Sequence, residues 1–250
     1  DGRLLALFDG IGGRAYGGVA ATIALAEVLR RSAVDSIRGL VDVRPTLDFA
    51  DQAVRDVGAS LGVHIGTTAV LAIIDRSPGG PVLHLGWAGD SAAFLVRENG
   101  VVALSLLDDE TYGVGERVLA WLGSGEHLTP RTVTYPLQPE DILIIASDGI
   151  TGVLESGAIA FIAKRAGAAH QAVESILAAA VAAGSSDNCS VIVTALHATA
   201  VSGHDRAVSI LPAYHFQSPR PEESAQPQPQ SLWAANSIEL TRTISDDSEI

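Results

Sequence analysis

Three aspartates of the chain stand at the borders of short apolar segments. They are Asp9 after residues 4–8, Asp148 after residues 142–146, and Asp187 just before residues 189–194. Apolar runs of this length predict buried strands, and strand ends can bring side chains from distant parts of a chain together. A single Asp-Gly pair marks an ordinary turn, so the prediction depends on the combination. Carboxylate oxygens favour magnesium or manganese over zinc and indicate hydrolytic or phosphoryl chemistry.

The aspartates belong to a series of short motifs. The motifs are Leu-Phe-Asp-Gly-Ile-Gly-Gly at 7–13, Gly-Thr-Thr-Ala at 66–69, Gly-Trp-Ala-Gly-Asp-Ser at 86–91, Ala-Ser-Asp-Gly at 146–149, and Asp-Asn before an apolar strand at 187–193. In type and order they resemble the motifs of the metal-dependent protein phosphatases of the protein phosphatase 2C type. The resemblance spans most of the chain, which is identified as a member of that family.

The resemblance implies a magnesium- or manganese-dependent enzyme that hydrolyses phosphoserine and phosphothreonine in proteins by means of a metal-activated water. Asp9 would bridge two metal ions, and the carbonyl oxygen of Gly10 would bind one of them. Asp148 and Asp187 would complete the coordination of the other ion. Asp9, Asp148 and Asp187 are therefore the expected catalytic residues. A phosphoprotein substrate and its cognate serine/threonine kinase are the expected partners.

Asp90 is a candidate ligand of a third, weaker ion. It resembles a residue that in many family members holds such an ion together with the aspartate at the position of Asp148. A further aspartate usually follows four residues after that position, where this chain has Gly152. We therefore expect two ions and an incomplete third site. A purely structural turn at Asp90 is the alternative.

The segment before Asp9 departs from the family pattern. Family members carry an N-terminal strand pair with a phosphate-binding arginine and a metal-binding acid, and Arg3 and Asp1 stand too close to Asp9 to be these residues. The chain has no methionine, so its first residue is not an initiator. Either upstream residues supply the missing pair, or the domain has lost it. In the second case catalysis would be severely weakened, and the alternative function is a pseudophosphatase that binds a phosphoprotein or kinase without turnover.

Ile11 occupies the position of a family histidine that protonates the leaving alkoxide. Isoleucine cannot donate a proton. Bacterial family members often have methionine there, so an apolar residue is compatible with activity, and together with the alanine-rich composition it favours a bacterial source. Packing of Ile11 under the glycine-rich turn is the structural alternative.

Composition excludes several classes of protein. The 250 residues are 47% hydrophobic and 18% charged, which allows a large apolar core. A net charge of -13 disfavours nucleic acid and anionic membranes as partners. The sequence has no P-loop, no histidine pair at zinc-ligand spacing and no apolar stretch long enough for a membrane helix. We expect a cytoplasmic protein whose single cysteine, Cys189, is buried and inert.

The apolar spacing predicts two helix pairs and the strands around them. The helices are predicted at 14–32, 46–61, 156–166 and 168–183, and the strands at 67–74, 81–87, 92–97, 101–106, 131–137, 141–147 and 188–196. The expected fold is α+β, a four-layer α/β/β/α sandwich of two mainly antiparallel sheets flanked by helix pairs. Residues 1–197 should form the phosphatase-like domain. Residues 198–250, an acidic segment rich in proline, glutamine and serine, should form a disordered tail.

Overall fold

Two antiparallel β-sheets pack face to face in the computed structural model, with helices on their outer surfaces. The structure describes residues 3–11, 16–38, 42–77, 80–105, 121–125, 128–200 and 206–210. In chain order the elements are β1 (Arg3–Leu7), α1 (Gly17–Arg38), α2 (Val43–Leu61), β2 (Ala69–Ser77), β3 (Gly80–Ala88), β4 (Ala92–Arg97), β5 (Gly100–Ala103), β6 (Arg131–Pro136), β7 (Ile142–Ala146), α3 (Asp148–Thr151), α4 (Ser156–Arg165), α5 (Ala169–Ala182), β8 (Val191–Ala200) and β9 (Arg206–Ile210). The strand orders are β1-β2-β3-β6 and β5-β4-β7-β8-β9. The predicted four-layer fold is confirmed.

The alternation of side chains along the strands produces the apolar layer between the sheets. Leu5 and Leu7 of β1 pack into this layer with side chains of both sheets. Leu4, Ala6 and Phe8 pack on the opposite face, against α1 and α2. Because successive side chains of a strand point to opposite faces, Asp9 continues the row of Leu5 and Leu7.

The two helix pairs cover the outer faces of different sheets. A stripe of small residues on α1, which includes Ala20 and Ala24, packs with Leu47 of α2 on the first sheet. Ile159 of α4 and Ile176 of α5 pack on the second sheet, and both are fully buried. Each sheet therefore has one face on the inter-sheet layer and one face on a helix pair.

The start of α2 lies three residues before the predicted position. Asp42 is its N-cap, and the Asp42 side chain accepts a hydrogen bond from the backbone N–H of Arg44. Pro45 falls in the first turn, where backbone N–H groups have no intrahelical acceptor, so the proline is tolerated. Gly62 ends the helix in the left-handed conformation.

The strand register aligns the ends that lead to the aspartates. The last pairs at this end are Leu7 with Val70, Ala69 with Ala88, Ala92 with Ala146, and Ala146 with Val191. Asp9, Asp90 and Asp148 therefore leave the two sheets at the same end, which we call the aspartate end. Asp187 lies in the loop before β8, whose first pair, Val191 with Ala146, is at this same end. The convergence of the three side chains on one ion stays a prediction.

The second sheet continues past residue 197, where the tail was predicted to begin. Strand β8 extends to Ala200, and β9 pairs with it antiparallel from Leu196 with Ile210 to Ala200 with Arg206. The backbone pairing of this edge strand therefore extends the second sheet into residues that the composition had assigned to the tail. The remainder of the predicted tail lies outside the described residues. Within the described part of the chain, no helix has the length and apolar character needed to cross a bilayer.

Candidate metal and catalytic site

The Asp9 turn is fixed by two neighbouring threonines. The backbone carbonyl of Asp9 accepts hydrogen bonds from the N–H of Thr68 and the hydroxyl of Thr67, both at 2.8 Å. The N–H of Asp9 donates to the Thr68 hydroxyl at 3.2 Å. Gly10 forms an isolated bridge with Thr67, and its α-carbon packs closely on the backbone of Gly17 at the start of α1. The Gly-Thr-Thr motif therefore holds the Asp9 turn from the adjacent strand.

Asp148 and Asp187 come from two loops that pack backbone against backbone. The N–H of Ser147 donates to the carbonyl of Ser190, and the N–H of Ser190 donates to the Ser147 hydroxyl, both at 3.0 Å. A β-carbon at position 149 would overlap the carbonyl oxygen of Asn188 and lie 2.9 Å from its carbonyl carbon. Only glycine therefore allows the Asp148 and Asp187 segments to approach this closely.

Cys189 and Ser185 support the contact between these two loops. The Cys189 thiol is 1% exposed and donates to the carbonyl of Gly149 at 3.3 Å. The Ser185 hydroxyl donates to the same carbonyl at 2.6 Å. The expected burial of Cys189 is confirmed. Its contact with the Ser-Asp-Gly motif was not predicted, because nothing in the sequence links residues forty positions apart.

Asp90 lies in the turn where the chain passes from the first sheet to the second. Strand β3 ends at Ala88 and β4 begins at Ala92, so Gly89, Asp90 and Ser91 form the connection. Gly89 has φ +99, and a β-carbon there would come within 2.8 Å of the Thr68 side chain. The Ser91 and Thr68 hydroxyls lie 2.8 Å apart. The Asp90 turn is therefore tied to the segment that holds Asp9.

The acidic side chains influence one another electrostatically. Burial raises the pKa of Asp9 to about 7, with further increases from the charges of Asp148, Asp187 and Asp90 and from a hydrogen bond with Asp148. Burial also raises the pKa of Asp148, followed by the charges of Asp90 and Asp187, while bonds from Gly149 and Asp9 oppose the increase. None of the groups that shift these two pKa values is a cation. The aspartate end therefore holds a cluster of mutually repelling carboxyl groups, which we call the carboxylate cluster.

The donor chemistry of this cluster fits a divalent metal ion. The Oδ1 atom of Asp148 is buried without a hydrogen-bond partner, which costs free energy unless a cation compensates it. Carboxylate and carbonyl oxygens are the ligands that magnesium and manganese prefer. Among the described residues, however, no three acidic, histidine or cysteine side chains surround one point closely enough to hold an ion as they stand. The residues fit the ion in kind, and their side-chain positions alone do not define a coordination sphere.

Three positions singled out by the sequence have no side-chain role in the cluster. Ile11 is 39% exposed, and the glycine-rich turn under which it was expected to pack falls on residues 12–15, outside the described residues. Gly152 ends the short helix α3 and donates its N–H to the carbonyl of Asp148 at 2.7 Å. Arg3 pairs with Ile74 at the far end of β1, about 20 Å of strand from Asp9. The prediction that Arg3 is not the phosphate-binding arginine agrees with this placement.

Comparison with protein families identifies the domain. The family model of the stage II sporulation protein E (SpoIIE) matches residues 5–205, which is most of the chain. The chain belongs to this family. The SpoIIE domain is of the protein phosphatase 2C type, so the resemblance drawn from the motifs is confirmed. No curated protein matches the chain.

Solved structures similar to this SpoIIE-family chain include serine/threonine phosphatases. The catalytic domain of the serine/threonine protein phosphatase PstP, in complex with two manganese ions, is 26% identical with a TM-score of 0.62 over 76% of this chain and 86% of that chain. The phosphatase MsPP of Mycobacterium smegmatis, in complex with cacodylate, is 25% identical with a TM-score of 0.63 over 76% and 86%. PppA, a regulatory component of the T6SS in Pseudomonas aeruginosa, is 22% identical with a TM-score of 0.63 over 77% and 86%, a likeness of fold alone.

Proposed function

We propose that this chain is a magnesium- or manganese-dependent phosphatase that hydrolyses phosphoserine and phosphothreonine in proteins. The observation that carries the proposal is the carboxylate cluster at the aspartate end. There, burial and the charges of Asp148, Asp187 and Asp90 raise the pKa of Asp9, and burial and the charges of Asp90 and Asp187 raise the pKa of Asp148. Membership of the SpoIIE family and the manganese ions of PstP support the proposal. The repulsion between clustered carboxylates destabilises the folded protein, and bound divalent ions would offset that repulsion.

The residues that would hold two ions follow from the resemblance. Asp9 would bridge both ions, Asp148 and Asp187 would complete one, and the Gly10 carbonyl would bind the other. As a ligand, Asp90 would contribute only to a third ion, to which Gly152 offers no second carboxylate, while its negative charge would act on every ion at the aspartate end. When bound, such ions supply a nucleophile from water at neutral pH and neutralise charge on the phosphoryl oxygens.

The protein itself would contribute position and charge. The Thr67 and Thr68 hydrogen bonds hold the Asp9 carboxyl at the end of β1. With its raised pKa, Asp9 gives up a proton when it becomes a ligand, so ion binding and proton release are coupled. Ile11 offers no proton to the leaving group, so the acid must come from elsewhere in the site.

The proposed partners are a phosphorylated protein and the serine/threonine kinase that modifies it, which would give the chain a role in dephosphorylation and signalling in bacteria. The net charge of -13 disfavours nucleic acid as a partner. The surface that selects the substrate is not defined by the carboxylate cluster, because the cluster recognises phosphate and metal rather than a peptide sequence.

A second candidate is a pseudophosphatase that binds a phosphoprotein or kinase without turnover. One observation favours it: the described carboxylates do not converge on a single point. The absence of a proton donor at Ile11 and of a carboxylate at Gly152 is consistent with that reading.

Phosphate release separates the two candidates. We would measure hydrolysis of p-nitrophenyl phosphate and a phosphothreonine peptide, with manganese and after chelation, for the wild type and for Asp148→Asn and Asp187→Asn. The matched control is Asp75→Asn, which changes a carboxyl group on β2 toward the end away from the cluster. Manganese-dependent turnover that both site variants abolish and the control retains supports the enzyme.

The opposite outcome is equally informative. A folded wild-type protein that binds manganese and the phosphopeptide without releasing phosphate would favour the pseudophosphatase. A wild-type protein that binds no manganese at all would overturn the metal-dependent reading.

A further inference from the structure

A buried pair of hydroxyl groups connects two turns of the aspartate end. The Thr68 and Ser91 hydroxyl oxygens lie 2.8 Å apart, and the two residues are 5% and 2% exposed. Thr68 precedes β2 in the first sheet, and Ser91 precedes β4 in the second sheet. The bond therefore joins the two sheets at the end where the carboxylates lie.

Thr68 is the centre of this connection because it has three separate contacts. Its hydroxyl accepts the N–H of Asp9 at 3.2 Å, and its own N–H donates to the carbonyl of Asp9 at 2.8 Å. Its side chain also lies against Gly89, where a β-carbon would come within 2.8 Å. One side chain thus contacts the Asp9 turn, the Gly89 turn and Ser91.

The position of Ser91 determines that of Asp90, the residue before it. The connection from β3 to β4 has three residues, so a shift of Ser91 moves Asp90 with it. Asp90 thus stands between Gly89, which lies against the Thr68 side chain, and Ser91, whose hydroxyl contacts the Thr68 hydroxyl. The direct 2.8 Å contact of these two buried hydroxyls fixes the spacing of the Asp9 and Asp90 turns.

We propose that the Thr68–Ser91 hydroxyl pair is a positioning element that sets the separation of Asp9 and Asp90 and thereby the affinity of the site for divalent ions. This inference rests on the proposed metal-dependent function. Neither hydroxyl is a ligand in it. Residues that orient metal ligands typically change metal affinity by about 10- to 100-fold when they are removed, which sets the size of the expected effect.

The first test measures manganese binding by titration calorimetry. Ser91→Ala and Thr68→Val remove one hydroxyl each, and both should weaken binding by about 10-fold. Thr68→Ser keeps the hydroxyl and should retain most of the affinity. The matched control is Ser105→Ala, which removes a buried hydroxyl that accepts the N–H of Ala93 at 2.7 Å, and it should bind manganese like the wild type.

A double-mutant cycle with Asp90→Asn distinguishes positioning from general loosening of the fold. If Ser91 acts through Asp90, Ser91→Ala should weaken manganese binding in the wild-type background and change it less than about twofold in the Asp90→Asn background. Thr68→Val should keep part of its effect there, because Thr68 also holds Asp9 directly. Thermal denaturation of each metal-free variant checks that it is folded.

Several results would overturn the inference. Equal manganese affinity of wild type and Ser91→Ala would do so, as would an equal loss in both Asp90 backgrounds, or a loss as large in Ser105→Ala. If the wild type binds manganese and only these outcomes appear, the proposed function stands and the positioning role falls. If the wild type binds no manganese, both fall together.

Discussion

The two ends of the sheet pair treat buried carboxylates in opposite ways. At the far end Asp141 is 1% exposed and receives two hydrogen bonds from the Arg97 guanidinium, at 2.9 and 3.0 Å, and one from the N–H of Gln138 at 2.7 Å. The bond with Asp141 raises the pKa of Arg97. At the aspartate end, Asp9 and Asp148 have raised pKa values, and only other carboxyl groups contribute charge. One end contains a complete ion pair. At the other end, no cationic side chain is among the groups that shift the pKa values of Asp9 and Asp148.

This difference between the two ends does not follow from burial alone. Asp141 is more buried than Asp9, yet every polar atom of its carboxylate has a donor. The Oδ1 atom of Asp148 has no such partner. Asp148 therefore lacks the full compensation that Asp141 has, as expected of the metal ligand that we propose.

The largest effect should come from separating the Asp148 and Asp187 segments. Gly149→Ala places a β-carbon against the backbone carbonyl of Asn188, and neither atom can rotate away, so one segment must move. We expect manganese-dependent phosphate release to fall by more than about 100-fold, beyond the usual effect of an outer-shell change. The matched control is Gly157→Ala in α4, where a β-carbon would meet nothing within 4 Å. An active Gly149→Ala protein would show that the close approach of the two loops is not required.

Breaking the ion pair at the far end should affect stability and leave the site intact. Asp141→Asn leaves Arg97 without its charged partner, and we expect the free energy of unfolding in urea to fall by on the order of 3 kcal/mol. Manganese affinity should stay within about twofold of the wild type, because the pair lies at the opposite end of β4 and β7 from the cluster. A loss of manganese binding in a folded Asp141→Asn protein would remove the distinction between the two ends.

The raised pKa of Asp9 should make the free energy of unfolding depend on pH. The pKa of Asp9 is raised in the folded protein to about 7 from an ordinary value of 3.8. In the unfolded chain Asp9 loses its proton at a lower pH than in the folded protein. The contribution of Asp9 to the free energy of unfolding of the metal-free protein is therefore fully present below pH 4 and is lost as the pH rises to about 7. We expect a loss on the order of 2 kcal/mol across this window, because neighbouring carboxyl groups share the effect.

Denaturation of metal-free protein between pH 4 and pH 8 measures this slope. Asp9→Asn should flatten it, and saturating manganese should reverse it, because the ion binds the deprotonated carboxylates. A metal-free protein whose stability rises through this window would contradict the raised pKa of Asp9.

The smallest effect should come from Ile11, which stands beside the cluster without belonging to the core. Because its side chain is 39% exposed, Ile11→Ala should change the free energy of unfolding by less than about 0.5 kcal/mol. Leu7→Ala, a core change on the preceding strand, should cost about 2 to 4 kcal/mol and provides the comparison. A large loss at Ile11 would mean that its side chain packs against part of the turn.

The parts of the fold that depend on local patterns were predictable from the sequence. Strand periodicity and the turns after the strands indicated that Asp9, Asp148 and Asp187 would lie together, since each follows or precedes a buried strand. The helix pairs were equally clear from their apolar spacing. The start of α2 was less clear. Pro45 suggests a break in the chain, although it lies in the first turn of a helix whose N-cap is Asp42.

The contacts that tune the site depend on the packing of distant segments. The Thr68–Ser91 bond and the Arg97–Asp141 pair join residues that no periodicity relates, because the register between sheets decides them. Strand β9 was also missed, because its pairing with β8 places it in the sheet although it lies in the segment that composition had assigned to the tail. Sequence patterns thus indicate which residues reach the aspartate end, and three-dimensional packing determines how they are held there.

The placement of Trp121 makes its fluorescence sensitive to changes near the Asp9 turn. Trp121 precedes Leu122, whose backbone exchanges hydrogen bonds of 3.1 and 3.0 Å with Thr67, and its indole ring packs on the α-carbon of Gly66. The ring therefore borders the segment that holds the Asp9 carbonyl. Trp87 is buried between the sheets, and Trp233 lies outside the described residues. In a protein with Trp87→Phe and Trp233→Phe, the emission of Trp121 would follow the loading of the aspartate end without any added dye.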